Sequence, residues 1–372
     1  MSLPLTMLSS ASNQTPNPEP RPPRKIKPEI ADPTAKRSYS IKNFYKRSSG
    51  GENDRIKYGA SCMKGPHDAM QDAHTTILEL AGSDSTSFFG VFDGDGDGGE
   101  KVALYCSKQF HVELVRDPDY DGDLPTAMQN VYFRIDENLR RSDQWMKSLG
   151  KGNFLGRIRT GLRAVSRIWK NKRYIGPQVI GSTATVALIR DNQITVANAG
   201  DSRCVLSRNG QAIVLSTDHK PSHPDERARI VAAGGRVIRH EVDKMQDGQI
   251  VTVLDVALID GKTAISRAIG YLEYKQDENF TLAKQKMTCN PDIRTENITG
   301  DTDFLLIASG GIWHVKSTQE VVQFVHQYLQ NGGTDLRGIC EELIDWCMES
   351  RDNSTVILVQ FKARATDTAG TS

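Results

Sequence analysis

The 372-residue sequence has no long apolar run and no excess of either charge. A membrane-spanning helix needs about 18 or more consecutive apolar residues, and no stretch of this sequence supplies them. The 47 lysines and arginines balance the 46 aspartates and glutamates, so the chain as a whole lacks the charge signature of a nucleic-acid-binding protein. The first residues also lack the charged-then-apolar pattern of a secretory signal. We therefore expect an intracellular protein of the cytoplasm, the nucleus or both.

Cysteines are few, and none of them form a closely spaced pair. The six are scattered along the chain at Cys62, Cys106, Cys204, Cys289, Cys340 and Cys347. A Cys-x-x-Cys pair, which would favour a metal or redox site, does not occur. Scattered cysteines in mostly apolar surroundings are typical of buried free thiols in a reducing compartment.

Both ends of the sequence are poor in regularly spaced apolar residues. Residues 1–54 are rich in proline, serine, asparagine and basic side chains, and residues 364–372 are short and polar. Such segments bury too little apolar surface to offset the entropy that a chain loses on ordering. We expect a disordered basic arm over 1–54 and a disordered tail over 364–372, with order beginning near residue 56.

The segment from 147 to about 175 is basic and amphipathic. Nine lysines and arginines, and no acids, occur between residues 147 and 173. Apolar residues recur there at three- and four-residue steps, which predicts a helix over 154–170. Two interpretations stay open: the apolar stripe packs on its own domain, or the helix docks on an acidic partner or an anionic membrane surface.

An acidic, glycine-rich turn follows a strongly apolar stretch. The run from Phe88 to Phe92 predicts a buried strand, and it ends at Asp93 and Gly94. A carboxylate beside a free carbonyl group at a strand end suits a hard cation such as Mg²⁺ or Mn²⁺. A solvated acidic turn is the simpler alternative. A calcium-binding EF-hand is disfavoured, because its twelfth position would be Leu104 where an acid is required.

This turn resembles a signature of the metal-dependent (2C-type) Ser/Thr protein phosphatases, a strand ending in Val-Phe-Asp-Gly-His-Gly-Gly. Further segments resemble motifs of the same family in the same order, at residues 67–74, 181–184, 197–203, 218–221, 266–271, 310–314 and 352–355. The resemblance extends from about residue 56 to residue 362.

The resemblance implies an α+β fold. Two packed antiparallel sheets form a β-sandwich flanked by helices, in the layer order α-β-β-α, with a metal centre at one end. The residues agree with this, because Asn209 and Gly210 between two apolar runs predict a hairpin, and consecutive hairpins build antiparallel sheets. The expected phosphatase-like domain covers residues 55–363, with the basic segment 147–175 as an insertion.

The family's chemistry is metal-assisted hydrolysis of a phosphoester. Two Mg²⁺ or Mn²⁺ ions share a carboxylate and a water, lower the pKa of that water and stabilise the charge on the phosphoryl oxygens. The resemblance places Asp93 at the shared carboxylate, Gly94 at a carbonyl ligand and Asp352 at a further ligand. Asp72 corresponds to an acid beside the centre.

Two positions of that centre have lost their carboxylates. Gln71 stands where the family has Glu, and Gly310 stands where the family has Asp. Glutamine is neutral and glycine has no side chain, so the resemblance implies that ligands are missing for both ions.

Four neighbouring positions are also exchanged. His67 stands for a phosphate-binding Arg, and imidazole cannot make the two-pronged contact of a guanidinium group. Asp95 stands for a His, and an ionised carboxylate accepts protons where a donor was wanted. Tyr271 and His314 each stand where the family has Asp.

These exchanges predict a pseudophosphatase, in which the fold and its protein-binding surface persist while the reaction is lost or nearly lost. Losing even an indirect partner of a metal typically costs about 10–100-fold in affinity or activity. We expect a monomer with one weak Mg²⁺ or Mn²⁺ site or none, whose partners are phosphoproteins or protein kinases. The alternative is a weakly active phosphatase whose centre is rebuilt by Asp95 and Asp97.

Overall fold

The computed structural model describes residues 45–149, 176–246 and 249–362, and it describes their side chains except at 242–246 and 249–254. Most of the expected arm, the expected tail and the basic helix predicted over 154–170 lie outside the described residues. Within these ranges, every helix is too short or too polar to cross a membrane.

Six strands form the first sheet. In order across the sheet they are β1 (Lys46–Glu52), β2 (Ile56–Met63), β16 (Ser354–Phe361), β15 (Thr302–Ala308), β9 (Arg203–Arg208) and β10 (Gln211–Val214). Every neighbouring pair is antiparallel. The hairpin predicted at Asn209 and Gly210 joins β9 to β10, and both residues have positive φ, as a tight hairpin turn requires.

Five further strands form the second sheet, also antiparallel throughout. In order they are β14 (Asp292–Asn297), β8 (Gln193–Ala199), β7 (Ala184–Arg190), β4 (Thr86–Phe92) and β3 (Ala73–Ile77). A small sheet continues from its end, with strands β13 (Ile269–Gly270), β6 (Gly181–Ser182) and β5 (Gly94–Asp95). A separate hairpin consists of β11 (Val237–Gln246) and β12 (Gln249–Ile259).

The apolar core has three layers because the side chains of a strand alternate between its two faces. In β4 every residue is buried, but neighbouring side chains enter different layers. Phe89 and Val91 meet Ile307 of the first sheet in the layer between the sheets. Phe88 and Phe92 point the other way, into the layer under the helices. The run 88–92 is therefore apolar without alternation, because both faces of β4 are covered by other elements.

Seven α-helices belong to the described part of the chain, and five of them cover the outer faces of the two sheets. The seven are α1 (Gly99–Val115), α2 (Leu124–Arg141), α3 (Gln144–Ser148), α4 (Pro224–Ala232), α5 (Gly310–Trp313), α6 (Thr318–Gln330) and α7 (Leu336–Trp346). The first three share a core layer with the second sheet, and α6 and α7 share one with the first. A capping box opens α6, where Ser317 and Glu320 bond each other's backbone amides. The α-β-β-α sandwich predicted from the sequence is confirmed.

One boundary was predicted wrongly. Order was expected from about residue 56, but β1 pairs with β2 along its whole length. Lys46 Nζ donates to Asp345 at 2.6 Å and Ser48 Oγ donates to Glu341 at 2.5 Å, which fixes β1 against α7. This edge strand exposes most of its side chains, so it has no apolar alternation from which a strand could be predicted.

Candidate metal centre

The ends of both sheets meet at one end of the sandwich. Asp93 follows β4, and Asp72 precedes its neighbour β3. On the first sheet Ser309 follows β15, and Asp352 lies two residues before the paired strand β16. Antiparallel pairing places the end of one strand beside the start of the next, so segments far apart in sequence converge here.

Asp72 joins the two sheets. Its Oδ2 accepts hydrogen bonds from Ser309 Oγ at 2.8 Å and from Thr355 Oγ1 at 2.7 Å. Its Oδ1 is buried and accepts no hydrogen bond from the described part of the chain. Burial raises the pKa of Asp72 to about 6, although the hydrogen bonds from the two hydroxyl groups lower it. The nearby charge of Asp352 adds to the rise.

Asp93 is held by its backbone and surrounded by acids. Its amide donates to Thr183 Oγ1 at 3.1 Å, and its carbonyl accepts from the Thr183 amide at 2.8 Å. Burial and the charges of Asp72, Asp201 and Asp352 raise the pKa of Asp93 well above its ordinary value. Such concentrated negative charge would be relieved by a divalent cation, because hard cations prefer carboxylate oxygens.

Gly94 is required by close packing. A Cβ atom at this position would lie 2.6 Å from the carbonyl carbon of Gly99 and 2.7 Å from the carbonyl oxygen of Gln71. The Gly94 amide donates to that same Gln71 oxygen at 3.2 Å. The strand end after Asp93 is therefore pressed against the segment that carries Gln71 and Asp72.

Two exchanged histidines stand beside Asp352. His67 Nε2 lies 3.4 Å from Asp352 Oδ1, and His314 Nδ1 lies 3.8 Å from Asp352 Oδ2. These three side chains are each 41–51% exposed, so they form the outer rim of the centre. Two imidazoles thus lie beside the Asp352 carboxylate, at positions where the family resemblance implies an arginine and an aspartate.

Gly310 lies directly beside Asp93. Its amide, the first of α5, donates to Asp93 Oδ2 at 3.3 Å. A Cβ atom on Gly310 would lie 3.5 Å from Asp93 Oδ2 and 3.1 Å from His314 Cε1. A carboxylate at position 310 would therefore reach the centre, and the ring of His314 stands against that space.

The loop after β4 is held by two other exchanged residues. Gln71 Nε2 donates to the Gly96 carbonyl at 2.8 Å. The Tyr271 hydroxyl donates to Asp95 Oδ2. Burial, with the adjacent charge of Asp95, raises the pKa of the Tyr271 phenol, which stays protonated and donates at any ordinary pH.

The structure brings the residues of the resemblance together at one end of the sandwich, both the retained and the exchanged ones. The sequence interpretation missed Asp201, whose charge contributes to the raised pKa of Asp93. Burial alone would raise the pKa of Asp201, but its ion pair with Lys220 lowers it. The signal was present, since Asp201 belongs to the recognised segment 197–203 and Lys220 to the segment 218–221.

The donor groups that the resemblance implies are incomplete at two positions. Across the described ranges, no group of three or more His, Cys, Asp or Glu side chains is arranged to hold a metal ion. The buried Oδ1 of Asp72, which accepts no hydrogen bond from the described residues, and the crowded carboxylate of Asp93 are suited to a cation. Position 310, however, offers no side-chain oxygen, and position 71 offers an amide instead of a carboxylate. The groups that would hold a cation here are Asp93, Asp352 and the Gly94 carbonyl.

Comparisons with known proteins place this arrangement in a family. Residues 56–356 match the family model described as Protein phosphatase 2C. A rice protein, "Probable protein phosphatase 2C 21", is 47% identical over 85% of this chain and 86% of its own. A second rice protein, "Probable protein phosphatase 2C 20", is 45% identical over 84% of this chain but only 60% of its own.

A solved structure agrees in fold. A serine-threonine phosphatase 2C from Toxoplasma gondii has a TM-score of 0.61 over 86% of this chain and 99% of its own, at 20% identity. The sandwich and its acidic end define a chain of the metal-dependent phosphatase type. This chain belongs to the protein phosphatase 2C family, whose members generally depend on Mg²⁺ or Mn²⁺.

Proposed function

We propose that this chain is a pseudophosphatase of the 2C type, which binds phosphoproteins or protein kinases and hydrolyses phosphoesters slowly or not at all. The observation that supports this best is the space beside Asp93. There Gly310 supplies no carboxylate, and the imidazole of His314 stands where one would extend. The side chain nearest to position 310 is therefore an imidazole, which does not replace the missing carboxylate.

The alternative, a centre rebuilt by the acids of the altered loop, has less support. The carboxylate of Asp95 already accepts a hydrogen bond from Tyr271. Asp97 is exposed, and none of the hydrogen bonds found among the described side chains involves it. Neither acid is among the three nearest neighbours of a Cβ atom on Gly310, which belong to His314 and Asp93.

Phosphate recognition is weakened as well. His67 has replaced the expected arginine, and it stands beside the Asp352 carboxylate rather than presenting two parallel donors to a phosphate. The acids Asp72, Asp93 and Asp352 set a negative potential that repels a phosphate dianion unless cations neutralise it. Weak metal binding and weak phosphate binding thus reinforce each other.

The function that survives is recognition of other proteins. Members of this family act on phosphorylated proteins, and the surface around the centre would contact such a protein with or without catalysis. We propose a monomeric, intracellular binding protein with at most one weak Mg²⁺ or Mn²⁺ site. Docking of the basic segment 154–170 on an acidic partner or an anionic membrane surface stays a prediction from the sequence.

Hydrolysis of a generic phosphate ester, with Mg²⁺ and Mn²⁺ titrated to high millimolar levels, tests the proposal directly. We expect no turnover above that of a matched Asp93→Ala preparation, which measures contaminating phosphatases. A kcat of about 1 s⁻¹ or more, the lower part of the usual enzyme range, would overturn the proposal if Asp93→Ala abolished it.

A further inference from the structure

Two of the exchanged residues contact a single loop, and a third belongs to it. Gln71 and Tyr271 are each bonded to the segment 94–98, and Asp95 is part of that segment. Two of these residues come from segments distant in sequence from the loop. Exchanges that only reflected lost catalysis would not need to make bonds with one another.

Gln71 fastens the loop from one side. Its side-chain amide donates to the Gly96 carbonyl at 2.8 Å, and its own carbonyl accepts from the Gly94 amide at 3.2 Å. Its backbone amide donates to Asn353 Oδ1 at 2.5 Å, which ties it to the start of β16. A glutamate at position 71 could not donate to Gly96, because an ionised carboxylate carries no proton.

Tyr271 fastens the loop from the other side, across the small sheet. Asp95 pairs with Gly181 in β6, and Gly270 pairs with the other side of Gly181. The ring of Tyr271 lies over Gly181, where a Cβ atom would be 2.5 Å from the ring. From there its hydroxyl reaches the Asp95 carboxylate. Only glycine at position 181 leaves room for this path.

The ring is itself firmly placed. Tyr271 is 5% exposed and has a positive φ of 48°, an unusual conformation for a non-glycine residue. Its amide donates to the Ile180 carbonyl at 2.8 Å, and its ring packs edge-on against Tyr274 with centroids 6.2 Å apart. A buried donor on a fixed ring keeps its acceptor in place at little entropic cost.

We infer that Gln71, Asp95 and Tyr271 form a brace, a set of hydrogen bonds that holds the loop 94–98 in place without a metal ion. Family members generally depend on Mg²⁺ or Mn²⁺, and in the resemblance the end of β4 carries the carboxylate shared by the two ions. Here side chains hold the same strand end from both sides. The order of the loop, and of the surface around it, therefore does not depend on the divalent cation.

This inference goes beyond the proposed function and stands separately from it. A braced loop could accompany either an inactive centre or a weakly active one. It implies that a protein partner binding beside the loop meets the same surface whether or not Mg²⁺ is present. Catalytic assays do not address this, so the experiment measures the loop itself.

Amide hydrogen exchange of the purified full-length chain tests the brace. The relevant amides are those of Gly94, Gly96 and Gly99, which donate within the loop or to Gln71. In the unaltered protein we expect equal exchange rates in EDTA and in millimolar Mn²⁺. Slower exchange in Mn²⁺ would show that the loop needs the ion and would overturn the inference.

Two conservative variants locate the effect. Tyr271→Phe keeps the ring and removes only its hydroxyl, and Gln71→Glu keeps the shape and removes the donor. Each should raise exchange of the loop amides about tenfold, the effect expected for a lost hydrogen bond, with little change elsewhere. Tyr274→Phe, which removes a hydroxyl from the neighbouring tyrosine, is the matched control and should leave the loop unchanged.

The response to metal then separates the brace from a general loss of stability. Glutamate at position 71 restores a carboxylate, so Mn²⁺ should slow loop exchange in Gln71→Glu and leave Tyr271→Phe unaffected. Unchanged exchange in Tyr271→Phe, or a uniform rise across the whole chain, would contradict a local brace.

Discussion

A Cβ atom on Gly310 would lie 3.1 Å from the ring of His314, four residues further along the chain. Side chains four residues apart in a helix lie on the same face, and the later one leans back over the earlier turn. The two exchanges at this motif are thus spatially coupled: the missing side chain at position 310 leaves room for the imidazole, and the imidazole stands close to where a carboxylate would go.

Restoring the centre should therefore require more than Gly310→Asp. That variant forces the His314 ring aside and still lacks the carboxylate at position 71. We expect Mn²⁺ affinity, measured by calorimetric titration, to rise little in Gly310→Asp and modestly in Gln71→Glu. It should rise clearly when both are combined with His314→Asp and His67→Arg, because residues that act as a unit are strongly non-additive.

The control for that series is His326→Asp, an exchange far from the centre at a histidine 3.5 Å from Asp303. It should leave Mn²⁺ affinity unchanged. If a single reversal instead lowered an already substantial phosphatase activity, the centre would be a rewired enzyme and the pseudophosphatase proposal would be wrong.

Asp93→Asn should stabilise the metal-free protein. Burial and three neighbouring acids raise the pKa of Asp93, so its charged form opposes folding at neutral pH. Asparagine removes the charge and keeps an oxygen for the Gly310 amide. We expect a thermal midpoint a few degrees higher, at roughly 2–4 °C per kcal/mol, together with loss of any Mn²⁺ binding.

The stability gain of Asp93→Asn should shrink as pH falls. A raised folded-state pKa means that the native protein takes up this proton before the unfolded chain does, which removes the penalty at low pH. Asp97→Asn, at an exposed acid of the same loop, is the control and should leave the midpoint unchanged. A lower midpoint for Asp93→Asn at neutral pH would contradict the argument.

Glu226→Gln should destabilise the protein at neutral pH and less so in acid. Burial would raise the pKa of Glu226, but Arg267 at 2.8 Å and Arg229 at 2.5 Å lower it from 4.5 to about 2. A lowered pKa adds stability above 4.5 that is lost as pH falls from there towards 2. The loss at pH 7, from urea unfolding, should be about 3 kcal/mol.

The matched change for that measurement is Glu137→Gln, at an exposed ion pair with Arg141. Surface pairs of this kind contribute about 0–1 kcal/mol, so the variant should unfold almost like the parent. Equal losses in the two variants, or a Glu226→Gln loss that grows in acid, would show that the buried pairs do not set the pH dependence.

Lys275→Met should be among the most damaging single changes. Lys275 and Asp136 form a fully buried ion pair at 2.7 Å, and Asp136 also accepts from the Gly270 amide at 2.8 Å. Removing the lysine alone leaves an unpaired buried charge, at a cost of about 3–5 kcal/mol. Adding Asp136→Asn neutralises that charge and keeps the Gly270 bond, so the double variant should recover much of the loss in urea unfolding. A double variant no more stable than the single would refute this explanation.

The sandwich could be predicted from the sequence because its signals are local. The order of the motifs and the apolar run 88–92 indicate the strands, and Ser317 with Glu320 marks the start of a helix. The edge strand β1 was not predicted, because an exposed strand needs only backbone hydrogen bonds. These bonds require no periodic pattern of apolar residues in the sequence.

The candidate centre could be predicted residue by residue, but not as a set of contacts. The bond between Tyr271 and Asp95 joins positions 176 residues apart, and their spacing in sequence says nothing about distance in space. The position of the His314 ring depends on a side-chain rotamer, which the backbone pattern does not specify. Each exchange looked like a separate loss in the sequence, whereas in the folded chain several of them contact one another.

The six cysteines have a practical consequence. All are buried and free, and burial raises the pKa of every one of these thiols, so almost no reactive thiolate is accessible in the native state. A thiol-reactive dye should therefore label folded molecules slowly and unfolded ones at up to six sulfurs. The number of dye molecules attached to each chain, read by mass spectrometry, then reports how many of these buried sulfurs have become exposed by unfolding.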